Sequence, residues 1–481
     1  MKHLPKKIII ISIDTLRADH LGCYGYYRNT SPHIDNLTQE SMFFQYAFAP
    51  ISYTAPSFAS LFTSRYPSYH HIEFTNGRYD FPEHIGPMLQ QVLKNNGLAT
   101  AAFVSTPVLN AKRTRFNEGF DIYDDETYSL KTEKENEFLF RKGEITTKNA
   151  LEWLDKNYMQ DFLLWVHYMD VHGPYNPPES YGGFFLHDDF WSKNPILLER
   201  PKGYNETYRD VVPDDYSPGI PNYQLLNKKV DNSGNIISYE KNFDYYISQY
   251  DAAIKYVDDQ IATIISTLKK IDIYDDTLFV IHSDHGEAFG ENGVYFDHGA
   301  TVSLEQIHIP LIIKLPGERG GIYSHPVSLL DLTPTILDFC GIDINQYNFH
   351  GLSIISGHKN DKRIIYSQFL KQLSCIYSGY QLLYGKGWFE KDIGNIFGDN
   401  ADARHKKLKA SRKMIKIGNQ DDICQLDSQL SSSIQQILEP FIRDFIEKAN
   451  KKEKTVLFEE KITDEEKEII RQKLSALGYT D

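Results

Sequence analysis

The sequence of 481 residues has little cysteine: Cys23, Cys340, Cys375 and Cys424 are scattered, with no C-x-x-C spacing. That excludes a disulfide-stapled scaffold and a thiolate metal site, and fits free thiols in a reducing compartment. Long hydrophobic runs are also missing. The longest near the start, Ile8, Ile9, Ile10, Ile11 and Ile13 with Ser12 between, is far below the roughly 20 residues that span a bilayer. It follows Pro5-Lys6-Lys7 and meets Asp14, so it makes a poor signal peptide. The expectation is a cytoplasmic protein with no membrane span. Positive charge is in deficit: 51 Lys and Arg stand against 65 Asp and Glu, a net charge of -14. This argues against nucleic acid as a partner. Hydrophobic residues at 41% and charged residues at 24% describe a globular chain. Aromatics reach 13%, with 32 Tyr and 28 Phe, enough for large contact surfaces as well as a core.

Short β-branched runs alternate with helical periods. KIIIISI (residues 7–13), LATAAFVS (98–105), FLLWVHY (162–168), LFVIH (278–282) and IPLIIKL (309–315) read as strands buried on both faces. A helix is expected to open at Phe81-Pro82-Glu83 and end at Asn96-Gly97, and another to occupy 145–158. A long amphipathic helix is expected over 243–271, with Tyr246, Tyr250, Ile254, Val257, Ile261, Ile264 and Leu268 on one face. Alternation of this kind predicts a doubly wound α/β domain. Residues 180–243 break the pattern and read as a variable, substrate-shaping insert. The catalytic unit is placed at 1–357, with a smaller C-terminal α+β domain at 358–481. Strand-like pieces lie at 363–366 and 413–417. A terminal helix begins at the capping box Thr463-Asp464-Glu465-Glu466 and runs to Leu477.

In such sheets functional groups sit just past the carboxyl ends of strands. Three strand ends carry polar clusters: Asp14-Thr15, the stretch 167–175, and SDHGEAFGENGVYFDHG at 283–299. Asp284 and His285 can offer an oxygen and a nitrogen to one metal ion, and Asp14 a second carboxylate. TAPSFASLFTSRYP (54–67) by itself reads as a turn into a helix with a Ser/Thr cap.

The order of these motifs resembles the sulfatase branch of the alkaline phosphatase superfamily. IDTLRADHLGCYGYYRNTSPHIDNLTQES opens the chain as that family opens, and TAPSFASLFTSRYP stands where sulfatases carry their nucleophile motif. AAFVSTPVL, EGFDIYDD, HYMDVHGPYNPP, DDTLFVIHSDHGE, IPLIIKLPG, VSLLDLTPTILDFCGI and LSALGY extend the likeness over nearly the whole chain. The resemblance implies an α/β sandwich with a mixed, mostly parallel central sheet. Three positions depart from it. Thr54 stands where sulfatases carry the Cys that matures to formylglycine, Ile13 where they carry the first of two adjacent aspartates, and Phe58 where they carry an Arg.

These departures bring the site closer to relatives that use Thr directly on phosphoesters, among which phosphoethanolamine transferases resemble this chain, and phosphonate monoester hydrolases and phosphodiesterases of the same branch are also similar. By carry-over, Asp14, Thr54, Asp284 and His285 hold one divalent ion, Zn²⁺ or Mn²⁺ in preference to Ca²⁺, and Thr54 is the nucleophile. His172 matches a family histidine that binds the substrate anion or protonates the leaving group. His298 stands where the transferases carry a His, and Asn76 aligns with an Asn that contacts the oxyanion. Lys112 is a further candidate for the anionic substrate, whereas Arg113 and Arg115 read with it as a solvated charge run. His282 and His308 are read as structural. The expected reaction is hydrolysis of a small anionic ester, a phosphodiester or phosphonate monoester, including one linked to a glycan. Transfer of a phosphoethanolamine or phosphoglycerol group to a glycan, sulfate ester hydrolysis, and an inactive binding module stay open as alternatives. A homo-oligomer is compatible with the resemblance.

Overall fold

The computed structural model describes residues 6–72, 74–75, 78–79, 86–127, 140–186, 224–231, 236–291, 294–299, 301–356, 363–369, 372–377, 380–384 and 413–416. A nine-stranded sheet forms its centre. In chain order its strands are β1 (Lys7–Ile13), β2 (Met42–Phe48), β3 (Ala99–Val104), β4 (Ile122–Asp124), β5 (Phe162–Tyr168), β6 (Thr277–Ser283), β7 (His308–Lys314), β8 (Gly321–Tyr323) and β9 (Val327–Ser328). Across the sheet they lie β8-β2-β7-β6-β1-β5-β3-β4, with β9 also on β2. β6, β1, β5, β3 and β4 pair in parallel. β7 runs antiparallel to both its neighbours, β6 and β2. The sheet is mixed and mostly parallel, as the resemblance implies. β2 was not foreseen as a strand, because Gln45 interrupts the apolar run of MFFQYAF.

Residues alternate between the faces of β1, so its isoleucines divide between two cores. Ile8 and Ile10 pack on one side with α1 (Thr54–Thr63) and α4 (Leu332–Phe339). Ile9, Ile11 and Ile13 pack on the other with α2 (Gly143–Asn157) and α3 (Phe243–Lys270). The result is an α/β/α sandwich. α3 buries the expected stripe of Tyr246, Tyr250, Ile254, Val257, Ile261, Ile264 and Leu268, and Asn242 caps its first turn by accepting from Asp244 N. The helix expected from Phe81 is corrected: it begins only at Leu89, after Gly86 with a left-handed φ of 94° and the extended cap residue Met88, and runs to Asn95, while 80–85 lie outside the described residues.

Toward the carboxyl end, Ile365–Phe369, Gln372–Tyr377, Tyr380–Tyr384 and Lys413–Lys416 form a four-stranded antiparallel sheet. Ile365, Phe369 and Ile376 belong to the same core as α1. The expected terminal helix at 463–477 and most of the 180–243 insert lie outside the described residues. Cys23, Cys340 and Cys375 are free thiols. Among the described residues no helix is long and apolar enough to cross a membrane.

Candidate metal and active site

The register of three adjacent strands builds the site. Ile13 of β1 stands beside Ser283 of β6 and Tyr168 of β5, so the residues that follow leave the sheet side by side. Asp14 N donates to Tyr168 O at 2.9 Å. Thr15 then turns the chain with a left-handed φ of 56°, a strained conformation for a β-branched residue. Its carbonyl accepts from the Tyr250 hydroxyl at 2.9 Å, and that oxygen accepts in turn from Arg17 N. After β6, the backbone of 284–286 is pinned. Ser57 Oγ donates to Asp284 O at 2.8 Å, Ser283 Oγ to His285 O at 2.6 Å, and Gly286 N to Gln306 O at 2.9 Å.

Asp14, Asp284 and His285 are fully buried, and one ligand atom of each lies within 4.8 Å of the others. His285 Nδ1 donates to Gly286 O at 2.9 Å, which leaves the Nε2 lone pair facing the carboxylates. Nε2 is 3.4 Å from Asp284 Oδ2 and 4.0 Å from Asp14 Oδ1. Thr54, the first residue of α1, places Oγ1 3.1 Å from the same nitrogen. Asp284 Oδ1 accepts from His285 N and Thr15 N. Among the described residues, Asp284 Oδ2 and both oxygens of Asp14 have no hydrogen-bond donor. Buried carboxylate oxygens without donors are costly unless a cation satisfies them. Burial pushes the Asp14 carboxyl up to about 7, against the pull of His285. Burial, then the neighbouring Asp14, pushes Asp284 up to about 6. Two carboxylates, a hydroxyl and an imidazole fit one small divalent ion such as Zn²⁺ or Mn²⁺.

Two more histidines close over this centre. The His298 ring lies 4.4 Å from that of His285 and 5.0 Å from that of His172, centroid to centroid. His172 Nδ1 lies 2.6 Å from Gly173 O, which orients the ring. His298 Nδ1 is 3.1 Å from Glu287 Oε1, and Tyr175 donates its hydroxyl to Glu287 Oε2. Glu287 and His167 were not singled out from the sequence. Glu287 lies inside the 283–299 motif, where its place beside Asp284 and His285 was an available signal. His167 opens the polar stretch 167–175, where its place at a strand end was likewise an available signal.

Lys112 is exposed on the short helix Ala111–Thr114. Asn76 lies outside the described residues. His282 Nδ1 donates to Ser283 O, and its Nε2 accepts from Ser12 Oγ at 2.7 Å, while Trp165 Nε1 donates to Ser12 Oγ. His308 Nε2 donates to Gln45 O. Phe58 projects no charge: its ring sits 5.0 Å from Trp165 and 5.4 Å from His167.

The Sulfatase family pattern matches residues 6–342. Human iduronate 2-sulfatase is 27% identical over 355 residues, 66% of this chain, and the chain spans only 60% of that protein's length. The N-acetylglucosamine-6-O-sulfatase of Bacteroides thetaiotaomicron is 24% identical over 398 residues, covering 70% of this chain and 68% of its own. In three dimensions, the phosphonate monoester hydrolase SpPMH of Silicibacter pomeroyi superposes with a TM-score of 0.65 at 17% identity. The match covers 92% of this chain and 95% of that one. This last likeness establishes the shared sandwich.

Proposed function

The chain belongs to the sulfatase family, and on that premise we propose that it is a metal-dependent hydrolase of a phosphodiester or phosphonate monoester with Thr54 as its nucleophile. The observation that carries this reading is the Thr54 hydroxyl, 3.1 Å from His285 Nε2 in a site where both Asp14 oxygens and Asp284 Oδ2 lack donors among the described residues. A divalent cation held by Asp14, Thr54, Asp284 and His285 supplies the Lewis acidity that lowers the hydroxyl pKa and offsets phosphoryl charge.

Thr54 Oγ1, its proton released to solvent, attacks phosphorus in line. The bond from phosphorus to the leaving oxygen breaks, leaving the phosphoryl group on Thr54. His172 or His298 hands a proton to the departing oxygen, as imidazoles near neutrality can. Water then attacks phosphorus and restores the hydroxyl. The positive N-terminal end of α1 favours the anion at Thr54.

Sulfate ester hydrolysis is a second reading, favoured by the sulfatases that the sequence is similar to. Two residues weigh against it: Thr54 cannot mature to an aldehyde, and Phe58 brings an apolar ring where the family carries a cation. The test offers bis-p-nitrophenyl phosphate, a phenylphosphonate ester and p-nitrophenyl sulfate to protein loaded with Zn²⁺ or Mn²⁺. The diester or phosphonate is expected to turn over fastest, and turnover of the sulfate alone overturns the reading. Thr54→Ala is expected to lower kcat roughly a thousandfold or more while the fold is kept.

A further inference from the structure

We propose that His167 is a positioning residue that holds the Asp14 carboxylate ready for the metal, an inference that rests on Asp14 being a ligand. His167 is the next-to-last residue of β5, beside Ser12 of β1, and wholly buried. Its Nε2 lies 3.4 Å from Asp14 Oδ2. Neither atom has a hydrogen-bond partner among the described residues, and the contact between them is not aligned as a hydrogen bond. Orphaned groups this close in a dry interior are complementary, one needing a donor and the other an acceptor.

The far side of the ring is compatible with a proton on Nε2. Ser105 Oγ already accepts from Met169 N at 2.8 Å. Its own hydrogen is therefore free to point at His167 Nδ1, 3.3 Å away. With Nδ1 accepting, Nε2 carries the hydrogen and faces Asp14. Ser105, His167 and Asp14 thus stand in a row from the backbone of Met169 to the metal site. The Phe58 ring, edge-on at 5.4 Å, limits rotation of the imidazole. The family's usual second carboxylate is absent here, since Ile13 turns into the core. Asp14 therefore lacks a like-charged neighbour on its own strand and takes its orientation from His167 across the strand pair.

Outer partners of metal-ligating carboxylates typically change metal affinity by about 10- to 100-fold. The experiment measures the Zn²⁺ dissociation constant by chelator competition for wild type, His167→Phe, His167→Gln and Ser105→Ala. A Gln side chain puts an amide N–H near the place of Nε2, and Phe puts none there. His167→Phe is expected to weaken Zn²⁺ by about 10- to 100-fold. His167→Gln is expected to recover most of the loss, and Ser105→Ala, which leaves the ring in place, to shift affinity less but in the same direction. Absorption bands of the Co²⁺-loaded protein are expected to be the same in wild type and His167→Gln. Equal Zn²⁺ affinity in wild type and His167→Phe overturns the inference, as does failure of Gln to exceed Phe. A Co²⁺ spectrum altered by Gln makes His167 a direct ligand and overturns it too. Should His167→Phe not fold, Ser105→Ala and His167→Gln decide: full affinity in the first together with a lost site in the second overturns the positioning role. A wild type that binds neither Zn²⁺ nor Mn²⁺ instead overturns the metal-site reading itself.

Discussion

At the scale of single residues, the site is held together by a conflict that its metal would resolve. Asp14 and Asp284 are buried side by side, with carboxyl groups raised to about 7 and about 6 by desolvation. In the unfolded chain both ionise near 4, at about 3.9. A raised carboxyl pKa contributes stability that is present below the unfolded value and is lost as pH climbs through the folded one. The metal-free fold is therefore expected to lose stability between about pH 4 and pH 7. Metal binds the ionised carboxylates, so affinity is expected to increase over the same interval. Melting curves of metal-free and Zn²⁺-loaded protein should diverge progressively from about pH 5 to pH 8, and calorimetry in buffers of different ionisation enthalpy should register proton release on binding. A constant gap between the curves would falsify the assignment of these two carboxyls.

At the scale of elements, the geometry depends on strand ends and the tight turns that follow them. The sequence shows the four candidate ligands Asp14, Thr54, Asp284 and His285 by residue type and motif order. Their convergence comes from the register of β1, β5 and β6, in which Ile13, Tyr168 and Ser283 are neighbours. Gly286 shows how little room that convergence leaves. A Cβ there would lie 2.2 Å from Glu305 O, a backbone atom that cannot swing away. Gly286→Ala must displace either the 284–287 turn or the start of the helix Leu304–Ile307. It is expected to cost about 1–3 kcal/mol, the usual range for overpacking, and to weaken Zn²⁺ binding. Urea unfolding and chelator competition read the two effects, and an unchanged metal affinity would show that the turn adapts without moving His285. The lone antiparallel strand β7 was not legible in IPLIIKL. Strand direction leaves no trace in a run that is apolar on both faces, because direction is set by the connection and the neighbours.

At the scale of the whole molecule, the C-terminal sheet is braced against the chain that leads into the nucleophile. Ser367 Oγ donates to Ala49 O, Gln368 N to Pro50 O, and the Phe369 ring stacks 5.9 Å from Tyr53, the residue before Thr54. Arg363 anchors the near edge of that sheet by a two-pronged contact with Asp331, whose side chain is fully buried and also accepts from Ser328 N and Leu352 N. Breaking a buried pair leaves a charge without its partner, at a cost of about 3–5 kcal/mol. Arg363→Met is expected to fall in that range by urea unfolding of the metal-loaded protein, with a smaller drop in kcat as the Ala49–Tyr53 segment loosens. A loss under about 1 kcal/mol would mean that the backbone donors alone satisfy Asp331.

Residue type and order were enough to specify the chemistry on offer: a threonine where the family holds a cysteine, two aspartates and a histidine past strand ends, and apolar runs too short for a membrane but right for a buried sheet. Such features are local, and local features survive in a one-dimensional string. The tertiary structure alone decided which oxygens lack donors, that His167 faces Asp14, and that Glu287 holds His298. Each of these depends on groups as far as 269 positions apart, such as Thr15 N and Asp284 Oδ1. Strand register and burial bring such groups together, and neither is written in the neighbourhood of any one residue.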